Sequence, residues 1–304
     1  MKVTELRSVF WLGGGSGAGK TTISRAVAGR LDLRIYHVDA YGYDHFSRMS
    51  QGLFPRTQAF DAKSYDERWL RAPELLAEEF LAISRERMPL IIEDLTAIGP
   101  GPTIVVEGPQ LLPELIAPLI DGPGNAVWLL PTPDFGRRGV AARGEAVPSS
   151  KEAEATENRY QRDVLVTQAL AERTAERGLP FVAVDGQRTL SGTIDWLAQL
   201  LLDMSGGLER AGRGEQRALM RRQENQVIVR QLTAYWQALG VQTMPDAPDG
   251  PFSCECSTLG CDSELIMAVD EYLLLRHTGP LLAHRERPRL RPRPQRLRPV
   301  PTDR

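Results

Sequence analysis

Apolar residues along this chain fall into short unbroken runs, separated by longer stretches in which they recur every three or four positions. The short runs are Ser8 to Leu12, Leu33 to Val38, Thr103 to Val106, Asn125 to Leu130 and Pro180 to Val184. Each has the length and near-continuous hydrophobicity of a strand buried on both faces. Between them, Ile23, Val27 and Leu31 repeat at helical spacing. So do Trp69, Leu75, Leu76, Phe80 and Ile83, within a mainly helical segment from 64 to 98 punctuated by Pro73 and Pro89. Further helices are expected over 113–120, 150–177 and 193–204, while 40–60 and 131–148 read as loops. This alternation predicts an α/β fold, a doubly wound parallel sheet with helices on both faces.

The pattern changes after Met204. Gly206-Gly207 and Gly212-Arg213-Gly214 mark a linker over 205–214, which separates a first domain, 1–204, from a small helical module, 215–284. Helices are expected in that module over 215–240 and 262–276. From 285 to 304 arginine alternates with proline, a composition that cannot bury a core, so disorder is expected there.

Composition removes several function classes. At 304 residues, with 42% hydrophobic and 25% charged side chains, the chain is ordinary for a globular protein. No run approaches the ~18 apolar residues of a membrane span, and the first strand begins too early for a signal peptide. The net charge of −2 divides into +6 on residues 285–304 and −8 on the remainder. A body of that sign carries no broad nucleic-acid footprint. Three cysteines crowded between 254 and 261 argue against a disulfide framework and for a reducing, cytoplasmic setting.

Candidate chemistry concentrates where the first strand gives way to the first helix. Gly14-Gly15-Ser16-Gly17-Ala18-Gly19-Lys20-Thr21 satisfies the phosphate-loop pattern GxxxxGK(S/T), in the required strand–loop–helix context. Glycines let backbone N–H groups curl around phosphate oxygens, and the helix N-terminus adds partial positive charge. Residues 14–22, including Thr22, are therefore the expected ATP site. Lys20 would reach the β- and γ-phosphates, and Thr21 would hold Mg²⁺. Two further carboxylates end apolar runs: Asp39, a candidate base or Mg²⁺ ligand, and Glu107, in the position of a Walker B acid. His37 shares a strand face with Asp39 and is expected to be a packed polar residue. Tyr41, Tyr43, Asp44, His45 and Phe46 are candidates for an acceptor pocket. Arg137, Arg138 and Arg143 are candidates to fold over a transferring phosphate.

A second cluster lies near the C-terminus. Cys254-x-Cys256-x4-Cys261, with His277 or His284 downstream, offers a Cys₃His set for a structural Zn²⁺, His284 being the preferred fourth ligand.

Residues 7–204 resemble the P-loop small-molecule kinases, the group that contains uridine kinase, adenylylsulfate kinase, shikimate kinase and the nucleoside monophosphate kinases. The resemblance rests on Gly14–Thr21, Asp39, Val105-Val106-Glu107-Gly108 and the arginines of 137–143. It implies ATP and Mg²⁺ as cofactors, Asp39 as catalytic base, and an arginine-bearing lid over 137–143. The acceptor region, 40–100, matches none of the group's substrate signatures. Residues 215–284 resemble a module of uncharacterised actinobacterial proteins, matched at Cys254-Glu255-Cys256, Cys261, Tyr272, Arg276 and His284. Two functions follow as expectations. The first is ATP-dependent phosphoryl transfer to a hydroxyl of a small molecule, nucleoside-like or another metabolite. The second is a non-enzymatic nucleotide-binding regulator that meets a protein partner through the C-terminal module. A nucleic-acid contact there, with the basic tail, is the less favoured variant.

Overall fold

Strand β1 (Val9–Gly14) is buried along its whole length. It lies at the centre of the sheet in a computed structural model that describes residues 8–49, 52–143, 147, 149–204, 206–238 and 249–284. The first helix, α1 (Lys20–Leu31), leads to β2 (Arg34–His37). With β3 (Ile104–Glu107), β4 (Ala126–Pro131) and β5 (Phe181–Val184), these strands form a five-stranded sheet of order β2-β3-β1-β4-β5, every pairing parallel.

The two-residue period of a strand divides the core between the two faces. Phe10 and Leu12 pack with Ile23 and Val27 of α1 and with Leu197 and Leu201 of the closing helix. Trp11 packs on the opposite face with Tyr36, Val106 and Trp128, under Ile91 and Leu170. The helices between β2 and β3 are α2 (Gly42–Arg48), α3 (Pro55–Asp61), α4 (Tyr65–Trp69) and α5 (Pro73–Ile98). Then come α6 (Pro113–Ile116), α7 (Pro133–Arg143), α8 (Glu152–Glu176) and α9 (Leu190–Leu202). The fold is thus the expected α/β architecture, with helices on both faces.

Several local expectations give way to longer-range packing. The expected loop over 40–60 contains α2 and α3, and the expected loop over 131–148 is largely helix α7. Pro89 does not divide the segment before β3, because α5 runs 26 residues through it. An interior proline costs about 3 kcal/mol, less than the burial of Leu81, Met88, Leu90, Ile91 and Leu95 supplies. Asp39 does not end β2. The strand stops at His37, and Asp39 rides a one-turn 3-10 helix over Val38–Tyr41.

In the C-terminal region, α10 (Gly214–Ala238) is followed by an antiparallel ribbon, β6 (Asp249–Ser253) with β7 (Glu264–Ala268), and then by α11 (Val269–Thr278). The single helix expected over 262–276 is therefore part strand. Pairing with β6 decides this, together with the face-to-face stack of Phe252 on Tyr272 at 4.2 Å. Residues 239–248 and the arginine-rich tail, 285–304, lie outside the described residues.

Helix α10 runs along the outer edge of β2. Glu224 accepts the Ile35 N–H at 2.9 Å, and the buried Arg221 guanidinium donates to the Leu33 carbonyl. Side chains thereby satisfy edge groups that another strand would otherwise take. The stretch read as a linker is also tied to the sheet domain: Thr103 donates to the Glu209 carbonyl at 2.9 Å, and Ala211 to that of Asp32 at 3.0 Å. Among the described residues no helix is long and apolar enough to cross a membrane.

Candidate active site and metal cluster

The glycines of the phosphate loop are fixed by geometry. Gly14, Gly17 and Gly19 have φ values of +131°, +79° and +80°, where a side chain would be strained. A Cβ at Gly14 would fall 2.0 Å from the Leu129 carbonyl oxygen of β4. On the loop's other flank lies α7, which approaches through two glycines of its own. A Cβ on Gly17 would meet the Gly136 oxygen at 2.8 Å, and one on Gly139 would meet the Gly17 oxygen at 2.7 Å. Gly136 and Gly139, in a segment read from sequence as an arginine- and glycine-bearing loop, are spaced three residues apart, which puts both on one face of helix α7.

Lys20 is buried and donates to the Gly15 carbonyl at 2.8 Å. One residue on, the Thr21 hydroxyl donates to Glu107 Oε1 at 3.0 Å, and the same oxygen lies 2.6 Å from His37 Nδ1. Glu107 is only 3% exposed. Burial pushes its pKa up, but the hydrogen bond and charge of His37, the charge of Lys20 and the Thr21 hydroxyl together hold it below the usual glutamate value. A hydroxyl and an ionised carboxylate side by side at a phosphate loop fit Mg²⁺, which takes oxygen ligands and keeps several waters. His37 is thus a direct partner of Glu107.

Asp39 is exposed, and its Oδ1 accepts from Gln110 Nε2 at 2.7 Å. The turn beneath it is braced by Arg87, buried, which donates to the Val38 carbonyl at 3.0 Å and lies 3.2 Å from His45 Nδ1. His45 Nε2 in turn lies 2.9 Å from Asp94, which also accepts from Tyr36 at 2.6 Å and from Arg48. Gln110 and Arg87 line a cavity of about 220 Å³, with aromatic walls from Phe46, Phe60, Trp69 and Phe80. Of the residues expected to form an acceptor pocket, Phe46 lines this cavity. Tyr41 stacks on Tyr36 at 4.1 Å, His45 belongs to the buried network, and Tyr43 packs near Tyr235. Gln110 and Arg87 were not anticipated, because both act on Asp39 through contacts 71 and 49 residues distant in sequence.

Arg137 and Arg138 are engaged on the protein surface. Arg137 makes two hydrogen bonds to Glu157, at 2.8 and 2.9 Å, and lies 3.9 Å above the Tyr160 ring. Arg138 lies 5.8 Å from the Phe135 ring. Arg143 ends the helix, and its side chain lies outside the described residues.

The cysteine cluster assembles as the spacing suggested. One ligand atom from each of Cys254, Cys256, Cys261 and His284 lies within 4.8 Å of all the others, and Cys254 Sγ is 3.2 Å from His284 Nδ1. A zinc tetrahedron with 2.3 Å Zn–S bonds has edges of about 3.8 Å, so the donor set fits that ion. All three cysteines are free thiols. Burial pushes Cys254 up to about 11. Burial also presses Cys256 upward, but the Thr258 N–H and the neighbouring thiols bring it below the usual value. His277, the alternative ligand, is not part of the cluster.

No protein-family model matches the chain, and no curated protein matches it. Among solved structures it is similar to deoxyadenosine kinase from M. mycoides with bound dCTP, at 13% identity and a TM-score of 0.38. That match covers 64% of this chain and 100% of the other. A second structure of that enzyme, with bound dATP, gives 13% identity, a TM-score of 0.36, and coverage of 63% and 97%. Shikimate kinase from Bacteroides thetaiotaomicron is similar at 17% identity and a TM-score of 0.32, over 64% of this chain and 97% of the other.

Proposed function

We propose that this protein is an ATP-dependent phosphotransferase that moves the γ-phosphoryl group of ATP to a hydroxyl of a small molecule. One observation carries the reading: Asp39, held by Gln110, stands beside an aromatic-walled cavity that Gln110 also lines, in a fold whose phosphate loop has the required glycine geometry. Main-chain amides of Gly15–Thr22 and the Lys20 ammonium bind the phosphates. Asp39 takes the proton of the acceptor hydroxyl as its oxygen bonds to the γ-phosphorus and the bond to the ADP oxygen breaks. Mg²⁺, when bound, neutralises charge on the phosphates, and Thr21 and Glu107 are the residues that hold it. The Gln110 contact favours the base role for Asp39 over that of metal ligand. Arg137, Arg138 and Arg143 close over the phosphates from α7. For Arg137 this means leaving Glu157, and exposed pairs of that kind are worth only about 0–1 kcal/mol. Zn²⁺ at Cys254, Cys256, Cys261 and His284 is a structural cofactor, and free thiols suit a cytoplasmic setting.

Labelled ATP offered with a panel of nucleosides, sugars and metabolite alcohols tests the reading. Transfer to at least one acceptor, lost in Asp39→Asn, is expected. A panel without any labelled product, from protein that binds ATP, would favour the second reading. That reading, a nucleotide-gated regulator, draws support from the contacts the C-terminal region makes on α1, Arg25 donating to Glu264 at 2.8 Å among them.

A further inference from the structure

The ten residues between β6 and β7 have no regular secondary structure, yet they press against the end of the helix that begins at the phosphate loop. Helix α1 stops at Asp32, which adopts φ +54° and returns its N–H to the carbonyls of Ala28 and Gly29. A left-handed aspartate needs holding, and the cysteine loop holds it. Both Asp32 carboxylate oxygens accept from the Gly260 N–H at 2.9 Å. Just before it, Gly29 is so close to the loop that a Cβ would lie 2.8 Å from Asp262 Cα.

Arg217 joins the two partners. It is 1% exposed. One guanidinium donates to the carbonyls of Cys254, Cys256 and Cys261, approaches Cys256 Sγ at 3.7 Å, and places its Nε 3.3 Å from Asp32. The loop's own apolar core is thin, amounting to Cys254, Cys256 and Ala283 with partial cover from Cys261, Leu265 and Leu282. Such a core does not fix a loop, whereas a bound ion does. Three thiolates, a neutral imidazole and Zn²⁺ carry one net negative charge, which gives the buried Arg217 cation a counter-charge beyond Asp32.

We propose that Cys254, Cys256, Cys261 and His284 bind a zinc ion whose loop clamps the C-terminal end of α1 through Arg217 and Asp32, so that metal occupancy sets nucleotide affinity at the helix's other end. The inference rests on reading the cluster as a metal site and the phosphate loop as a nucleotide site. The 12 residues of α1 separate the two by about 18 Å. Coupling between two binding sites is reciprocal, so nucleotide raises zinc affinity by the same factor.

The test uses the full chain, purified without chelator. About one zinc per chain is expected by elemental analysis. Stripping the metal, then removing the chelator and supplying Mg²⁺, is expected to speed amide exchange at 29–33 and at 260 by about tenfold or more. MgATP binding is expected to weaken by about 5–10-fold. Arg217→Lys, which leaves every ligand in place, is expected to keep its zinc and yet show the same local acceleration. Protein without zinc overturns the proposal at its first step. Zinc-bearing protein whose exchange at 29–33 is unchanged by stripping and by Arg217→Lys overturns the clamp, while the metal reading stands. Acceleration spread evenly over β1, β3 and α5 also overturns it, since a local clamp loosens one end of one helix. If untreated protein binds no ATP, the nucleotide reading and the claimed control of affinity both fail, and the exchange measurement alone decides the clamp.

Discussion

His37 stands directly opposite Glu107 in the β2–β3 register, and its Nδ1 lies 2.6 Å from the Glu107 carboxylate. The same oxygen takes the Thr21 hydroxyl, so one buried carboxylate links the phosphate-loop helix to two strands of the sheet. Because its pKa in the folded protein is lowered, it contributes stability above the unfolded value of about 4.3, and that contribution is lost as the pH falls through the folded value. Glu107→Gln keeps an acceptor for Thr21 but not the charge. At neutral pH the wild type should be the more stable by about 1–3 kcal/mol, and the gap should close below about pH 4. Urea unfolding of both proteins between neutral pH and about pH 3 measures it, and a gap that stays constant over that range would remove the carboxylate from this role.

Lys20 and Asp39 separate binding from chemistry. Lys20→Ala should abolish detectable MgATP binding, because it removes the ammonium expected to reach the β- and γ-phosphates. Asp39→Asn keeps the shape of the Gln110 contact, so ATP affinity should hold while transfer falls by about 10²–10⁴-fold, the usual contribution of a general base. Calorimetric ATP titration with single-turnover transfer distinguishes them. Near-wild-type transfer by Asp39→Asn would place the base elsewhere.

Gly139 bears on whether α7 must touch the phosphate loop. In an ordinary helix Gly→Ala is favourable by about 0.5–1 kcal/mol. Here the new methyl would sit 2.7 Å from the Gly17 carbonyl, a backbone atom that cannot turn aside. Gly139→Ala should therefore destabilise by about 1–3 kcal/mol and weaken ATP binding, as α7 is displaced from the loop. Melting and ATP titration would detect both effects, and a variant more stable than wild type would mean that α7 already stands clear.

These residues also mark what could be read from the chain. The phosphate loop was legible because its requirements are local: glycines for positive φ, then lysine and threonine at a helix start. The cysteine cluster was legible because a metal site draws its ligands from a short span and one late histidine. The His37–Glu107 pair depends on strand register, which no run of eight residues encodes. Gln110 contacts the Asp39 carboxylate directly and Arg87 braces the Val38 carbonyl beneath it, both from positions far along the chain. Residues 264–268 fall inside the expected helix over 262–276 and instead form strand β7, because they pair antiparallel with Asp249–Ser253, a partner that lies outside that helix window.

The edge of β2 decides whether the C-terminal region is an appendage or part of the folding unit. Arg221 is 2% exposed as a side chain, and its charge is met by Glu224 at 2.7 Å. Glu224 also takes the Ile35 N–H. Glu224→Ala would leave a buried guanidinium without its carboxylate and an edge amide without an acceptor. Breaking a buried pair from one side costs about 3–5 kcal/mol. Glu224→Gln, which still accepts from Ile35, should lose less, and Ile35 should remain protected from exchange in that variant alone. If α10 and the sheet form one cooperative unit, Glu224→Ala should lower a single unfolding transition followed by both tryptophan fluorescence and helical circular dichroism. A second, separate transition for the C-terminal region, with the sheet's midpoint unmoved, would instead make α10 a detachable strap.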